Sequence, residues 1–204
     1  MSTSNKHQKY HHDDLERCLL DKALQILDAE GFEALTLRRV ARDCGVSHMA
    51  PYRHYANKDA LVQAVLGQVM QSFSNAQAAA LTQASDARGQ LVALGRAYLQ
   101  FFLEHPGYLD VFHYQPADKP RSFELLIHNT GQPETWEALQ PLVQTISAIF
   151  PGESMPETMQ RVYFYWFMIH GCTTLVGDLP PEDHEQALKL IEGVVLTSLP
   201  RKSS

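Results

Sequence analysis

Between Thr36 and Lys58 the chain gathers side chains that donate hydrogen bonds or carry positive charge: Thr36, Arg38, Ser47, His48, Tyr52, Arg53, His54 and Lys58, with Met49 and Ala50 among them. Hydroxyls, imidazoles and fixed cations at this spacing suit the holding of phosphate rather than the making or breaking of bonds. Residues 36–60 contain five basic groups (Arg38, Arg39, Arg42, Arg53, Lys58) against Asp43 and Asp59, on a chain whose formal net charge is −6. Such a basic island attracts a polyanion without making the whole molecule adhere to it.

Catalytic and metal chemistry find little support. No HExxH, G-x-S-x-G, glycine-rich phosphate loop or paired-cysteine motif occurs. The ten histidines are scattered, and His7, His11 and His12 in the polar N-terminal stretch would bind a metal only fortuitously. A non-enzyme with no catalytic residues, no metal and no cofactor is therefore expected. Cys18, Cys44 and Cys172 are too far apart in sequence to suggest a disulfide framework. They point to a reducing, cytoplasmic setting, with Cys172 expected to be a buried, inert thiol. The N-terminus lacks the apolar stretch of a secretory signal. The longest apolar run, Val162 to Ile169, is too short to span a bilayer, so no membrane association is expected.

The elements that would position the basic island are helices. Leu15, Cys18, Leu19, Ala23, Ile26 and Leu27 recur at three- and four-residue intervals, which predicts a helix over 13–30 ended by Gly31. Thr36 reads as the N-cap of a short helix, Leu37 to Cys44, stopped by Gly45. Ser47 reads as the N-cap of a second, His48 to about Tyr55, with Pro51 in its first turn. Asn57 reads as the N-cap of a long helix through Leu61, Val65, Val69 and Phe73. Ala41 is small enough for one short helix to cross the other, and Gly45 permits the turn between them, so the pair fits a helix-turn-helix. The second helix would enter the major groove, with His48, Met49 and Ala50 nearest the bases. Tyr52, His54 and Tyr55 have the length to reach phosphates, and Thr36 and Lys58 lie at helix starts that favour anions. For Tyr55 a place in the core is an equal alternative.

The stretch "LTLRRVARDCGVSHMAPYRHYANKDALVQAVL" resembles the DNA-binding domain of the TetR family of bacterial transcription regulators. Thr36, Ala41, Gly45-Val46-Ser47, Tyr52-Arg53-His54-Tyr55, Lys58 and Leu61 stand where that family's pattern has its cap, turn, aromatic motif and lysine. His48, Met49 and Pro51 depart from the residues common there, which bears on the operator sequence. "WFMIHG" is similar to a subgroup with a Trp-x-x-x-His-Gly C-terminal signature. The resemblance implies a repressor or other regulator bound to double-stranded operator DNA, a small-molecule inducer, and a homodimer formed through the last two helices.

Periodicity stays helical beyond residue 85, over Leu91–Leu103 and near 122–130, 134–149, 157–176 and 184–198, with "HPG" at His105–Gly107 as a break. The expected fold is all-α, about nine helices. Residues 1–57 would form a three-helix DNA-binding domain and residues 58–204 a larger ligand-binding and dimerisation domain. Phe102, Tyr108, Phe112, Trp136, Tyr163, Trp166 and His170 are aromatic or polar-tipped residues suited to an apolar ligand cavity. On the helix near residue 166, Tyr163, Trp166, His170 and Thr173 share one face, and Phe164, Met168, Gly171 and Leu175 another. The first suits a pocket wall and the second a subunit seam, although Trp166 and His170 would equally serve as core. A helical enzyme, or a small-molecule-binding or adaptor protein with a degenerate helix-turn-helix, is the alternative. Intact caps, Tyr52 and Lys58 weigh against it.

Overall fold

A computed structural model describes residues 4–114, 137–177 and 179–200, with side chains described from residue 14 onward. The described residues form α-helices and short 3-10 turns, and no strand occurs among them. The helix expected near 122–130 lies outside the described residues, as do the structure and contacts of Trp136. The chain divides into two compact units: Met1–Val69 with Pro106–Pro116, and Met70–His105 with Ala117–Ser204.

The first unit is built on α1 (Ser4–Glu30), which buries Leu19, Ala23, Ile26 and Leu27. The Gly31 N–H closes its end on the Leu27 carbonyl at 3.1 Å. α2 (Leu37–Asp43) starts as its cap dictates: Thr36 Oγ1 accepts the Arg39 N–H at 3.1 Å. Leu37, Val40 and Ala41 turn inward. Arg39 clasps the join of α1 and α2, its guanidinium bonded to Glu30 and, at 2.8 Å, to Asp43. α3 (Lys58–Leu81) opens with the Ala60 N–H donating to Asn57 Oδ1 at 2.9 Å, and buries Leu61, Val62, Val65 and Val69 in this unit.

Sequence periodicity missed α5 (Pro106–His113). "HPG" does end the preceding helix, but a proline in the first turn forfeits no intrahelical bond, so Pro106 begins a new one. α5 packs on α1, and the close approach at Gly107 explains that residue: a Cβ there would lie 2.5 Å from the Leu27 carbonyl oxygen. Tyr108 donates to Asp28, and the Tyr114 hydroxyl to Asp59.

In the second unit α4 (Ala87–Glu104) is capped by Asp86, which accepts the Gly89 N–H at 2.7 Å. It packs against α6 (Gln140–Ile149), α7 (Met155–Val176) and α8 (His184–Ser198) around Leu91, Leu99, Ile146, Val162, Tyr165 and Ile191. A capping box joining Ser154 and Glu157 starts α7. Arg96 ties α4 to α8 through Glu192 at 2.6 Å and Glu185 at 2.9 Å.

Candidate functional site

The turn after α2 is a Schellman arrangement: the Gly45 N–H donates to the Arg42 carbonyl and the Val46 N–H to that of Ala41, both at 3.0 Å. Gly45 sits at φ 67, in the left-handed region that closes this motif and that a side chain disfavours. The chain is thereby set to cross back over α2, where Ala41 is buried.

The second helix differs from expectation. Instead of an α-helix over 48–55, the structure has a single 3-10 turn, Ala50–Arg53. The Ala50 N–H takes the Ser47 carbonyl at 2.9 Å, a three-residue bond, and Pro51 has no N–H to make the four-residue alternative. Pro51 and Tyr55 are buried and anchor the turn from beneath. Tyr55 is thus core, its phenol pushed up to about 12 by burial and, secondarily, by the charge of Glu16.

Thr36, Arg38, Ser47, His48 and Arg53 are exposed, and so are Met49 at 59 % and Tyr52 at 50 %. Ala50 is half-buried. His54 departs from the expectation of a phosphate donor. Its side chain is only 2 % exposed and lies with Nδ1 3.7 Å from Glu16 Oε2, so it braces the turn against α1. Lys58 occupies the first position of α3, half-buried, its ammonium 4.6 Å from the centre of the Phe32 ring. Its Cα position at a helix start is as expected; the contact with Phe32 was not legible.

Two cysteine readings are corrected. Cys18 on α1 and Cys44 at the C-cap of α2 are paired as a disulfide, with Cα atoms 6.2 Å apart. Sequence spacing hides this because packing of α1 on α2, not proximity along the chain, joins them. Cys172 is half-exposed rather than buried.

The second unit gathers part of the expected ligand set. Tyr98 is its hub, and the sequence offered the signal in the spacing of Tyr98, Phe101 and Phe102 along α4. Its ring meets Phe73 edge-on at 5.2 Å and tilts against Phe102 at 5.2 Å. Its hydroxyl lies 2.7 Å from His170 Nδ1 and accepts a hydrogen bond from Trp166. Burial raises the Tyr98 phenol far above its ordinary range, so the hydroxyl stays protonated beside the His170 ring. Trp166 tilts against His170 at 5.9 Å, and Tyr163 stacks on Phe167 at 6.1 Å. Thr173, on the same face, is fully buried with its hydroxyl on the Ile169 carbonyl. Tyr108 and Phe112 belong to the first unit.

The other face of α7 is bare. Phe164 is 54 % exposed, Leu175 is 87 % exposed, and a Cβ on Gly171 would meet nothing within 4 Å. On α8, Leu190, Gly193 and Leu196 are likewise exposed.

Residues 19–65 match the family described as bacterial regulatory proteins, tetR family, and residues 91–190 match the tetracyclin repressor-like C-terminal domain. The chain belongs to the TetR family. It is similar to the HTH-type transcriptional repressor DrrR1 of Streptomyces coeruleorubidus, 32 % identical over 108 residues. That match covers 52 % of this chain and 38 % of the relative's length. Among solved structures, a protein of unknown function from Rhodococcus sp. RHA1 is 25 % identical with a TM-score of 0.68, covering 95 % of this chain and all of that one. The TetR-family regulator SCO4454 of Streptomyces coelicolor shares the fold at 22 % identity and TM-score 0.62, over 97 % of this chain and 96 % of that one. LfrR of Mycobacterium smegmatis, solved with proflavine, does so at 16 % and 0.60, over 94 % and 99 %. The TetR-family matches do not extend to the Trp-x-x-x-His-Gly subgroup, which remains a likeness carried by Trp166, His170 and Gly171. Among the described residues no helix is long and apolar enough to cross a membrane.

Proposed function

We propose that this TetR-family protein is a cytoplasmic transcriptional repressor, a homodimer that holds a near-palindromic operator and releases it when a small-molecule inducer binds. It acts by binding and not by catalysis. The observation that carries the reading is the turn after α2. Pro51 and Tyr55 are buried beneath it while Met49, Tyr52, His48 and Arg53 stand in solvent. A monomer gains nothing by exposing a methionine and a tyrosine beside cations; a major groove lined with base edges and phosphates uses all four.

His48, Met49 and Ala50 are assigned to base edges. Thr36, Arg38, Ser47, Tyr52, Arg53 and Lys58 are assigned to phosphates. His54 is assigned to positioning the turn. Phe102, Tyr163, Trp166 and His170 are assigned to inducer recognition, since an aromatic wall with the Tyr98–His170 polar pair is the composition of a small-molecule site. The dimer is assigned to the bare faces of α7 and α8. Exposed phenylalanine and leucines at helical spacing around Gly171 and Gly193 let two partner helices approach closely.

Selection of fragments bound by the full-length protein from its source genome, including the DNA upstream of its own gene, tests this. Enrichment of one two-fold symmetric sequence is expected, with binding that weakens steeply as salt rises. No enrichment above a protein lacking the Thr36–Lys58 cations would overturn it.

A further inference from the structure

We propose that Cys18 and Cys44 form a reversible thiol–disulfide site at which a hydroperoxide staples α1 to the end of α2, stiffening the helix-turn-helix. The two Cα atoms are 6.2 Å apart, inside the range a disulfide spans without backbone movement. The surrounding core sets that distance. Leu19 and Ala23 on α1, and Val40 and Ala41 on α2, are all buried, and α1 packs on α2. The Arg39 clasp to Glu30 and Asp43 crosses the same join, so the pair stays aligned when the thiols are reduced.

Neither cysteine is fully buried, which leaves the pair within reach of a small oxidant. Cys44 is the last residue before the Gly45 turn and lies three positions ahead of Ser47. A bridge there tethers the stem from which the Ala50–Arg53 turn is launched. A single, accessible pair in a reducing compartment rests as two thiols and closes only under oxidation, which marks it as labile rather than as a permanent framework.

The chemistry balances with hydrogen peroxide. One thiolate attacks a peroxide oxygen, the O–O bond breaks, and a sulfenic acid and one water result. The second thiol then displaces the sulfenic hydroxyl, the S–S bond forms, and a second water leaves with its proton. The two thiols give up two electrons and the peroxide takes them. A dithiol reductant reverses the step by exchange.

The test uses the full-length protein, first reduced with dithiothreitol and then treated with hydrogen peroxide. Peptide mapping should find Cys18 joined to Cys44, and dithiothreitol should remove the link. Closing a loop over a separation of 26 residues should raise the thermal midpoint by roughly 5 °C or more and slow hydrogen exchange over residues 37–55. Cys18→Ser and Cys44→Ser should each abolish the link and the shift, while Cys172→Ser keeps both. Should Cys44→Ser lose helical content, Cys18→Ala supplies the same comparison from the other partner. Three results would overturn the proposal: oxidation beyond the sulfenic acid with no Cys18–Cys44 peptide, a link made only through Cys172, or a closed bridge that changes neither midpoint nor exchange.

Discussion

In the proposed function, Tyr52, Lys58 and His48 make separable contributions to DNA binding. Tyr52 is exposed and its hydroxyl has no partner among the described residues, so Tyr52→Phe should leave stability unchanged. It should cost about 1 kcal/mol, near fivefold, in affinity for operator and unrelated DNA alike, because a phosphate contact carries no sequence information. Lys58→Ala should lower the slope of log affinity against log salt by about one unit, read from titrations at several salt concentrations. His48→Ala should instead change which operator variants are preferred, visible as an altered ranking in a binding-site selection. His54 does not belong with these residues. Its motif position was legible in the sequence, but its direction was not, because the side chain turns inward only once α1 supplies Glu16 and the turn tightens to 3-10 form.

At the scale of elements, the join of α1 with α2 and α5 governs the first unit. Gly107→Ala places a Cβ against the Leu27 carbonyl, which is backbone and cannot swing aside. The variant should lose about 1–3 kcal/mol in denaturant unfolding and should loosen α5 from α1, seen as faster hydrogen exchange over residues 106–113. The α1–α2 clasp adds a pH dependence. The Arg39 hydrogen bond holds the Asp43 carboxyl below its ordinary value, against the opposing effect of desolvation. A depressed carboxylate contributes stability that is present above its unfolded pKa and is lost as pH falls through the folded one, here below about pH 4. Asp43→Asn should therefore flatten the acid side of a plot of thermal midpoint against pH. Caps and breakers made much of this legible: Thr36, Gly45 and Asn57 mark α2, the turn and α3 where the structure has them. What stayed hidden depends on the third dimension. Pro106 reads as an end although it also begins α5, and Pro51 converts the expected helix into one turn because Ser47 can be reached only by the Ala50 N–H.

For the whole molecule, the proposed seam on the exposed faces of α7 and α8 would decide whether one recognition turn acts alone or as one of a pair. A single turn reads too few bases to specify a site, and a two-fold dimer doubles the reading. Gly171 offers a clean probe, since a side chain there meets open space in the protomer. Gly171→Leu should fold with an unchanged helical spectrum, sediment as a monomer at concentrations where the parent is dimeric, and lose operator binding with it. His170→Ala should leave a DNA-binding dimer whose release by inducer is altered, because the Tyr98–Trp166–His170 group is changed while the α7 seam is not. The most direct measurement of the central claim is a footprint on the selected operator combined with the mass of the complex. Two protomers should protect symmetric half-sites whose centres lie one helical turn of DNA apart, roughly 34 Å, or somewhat more. One protomer on a single asymmetric half-site, or two protomers with no symmetry in the protected sequence, would contradict the account.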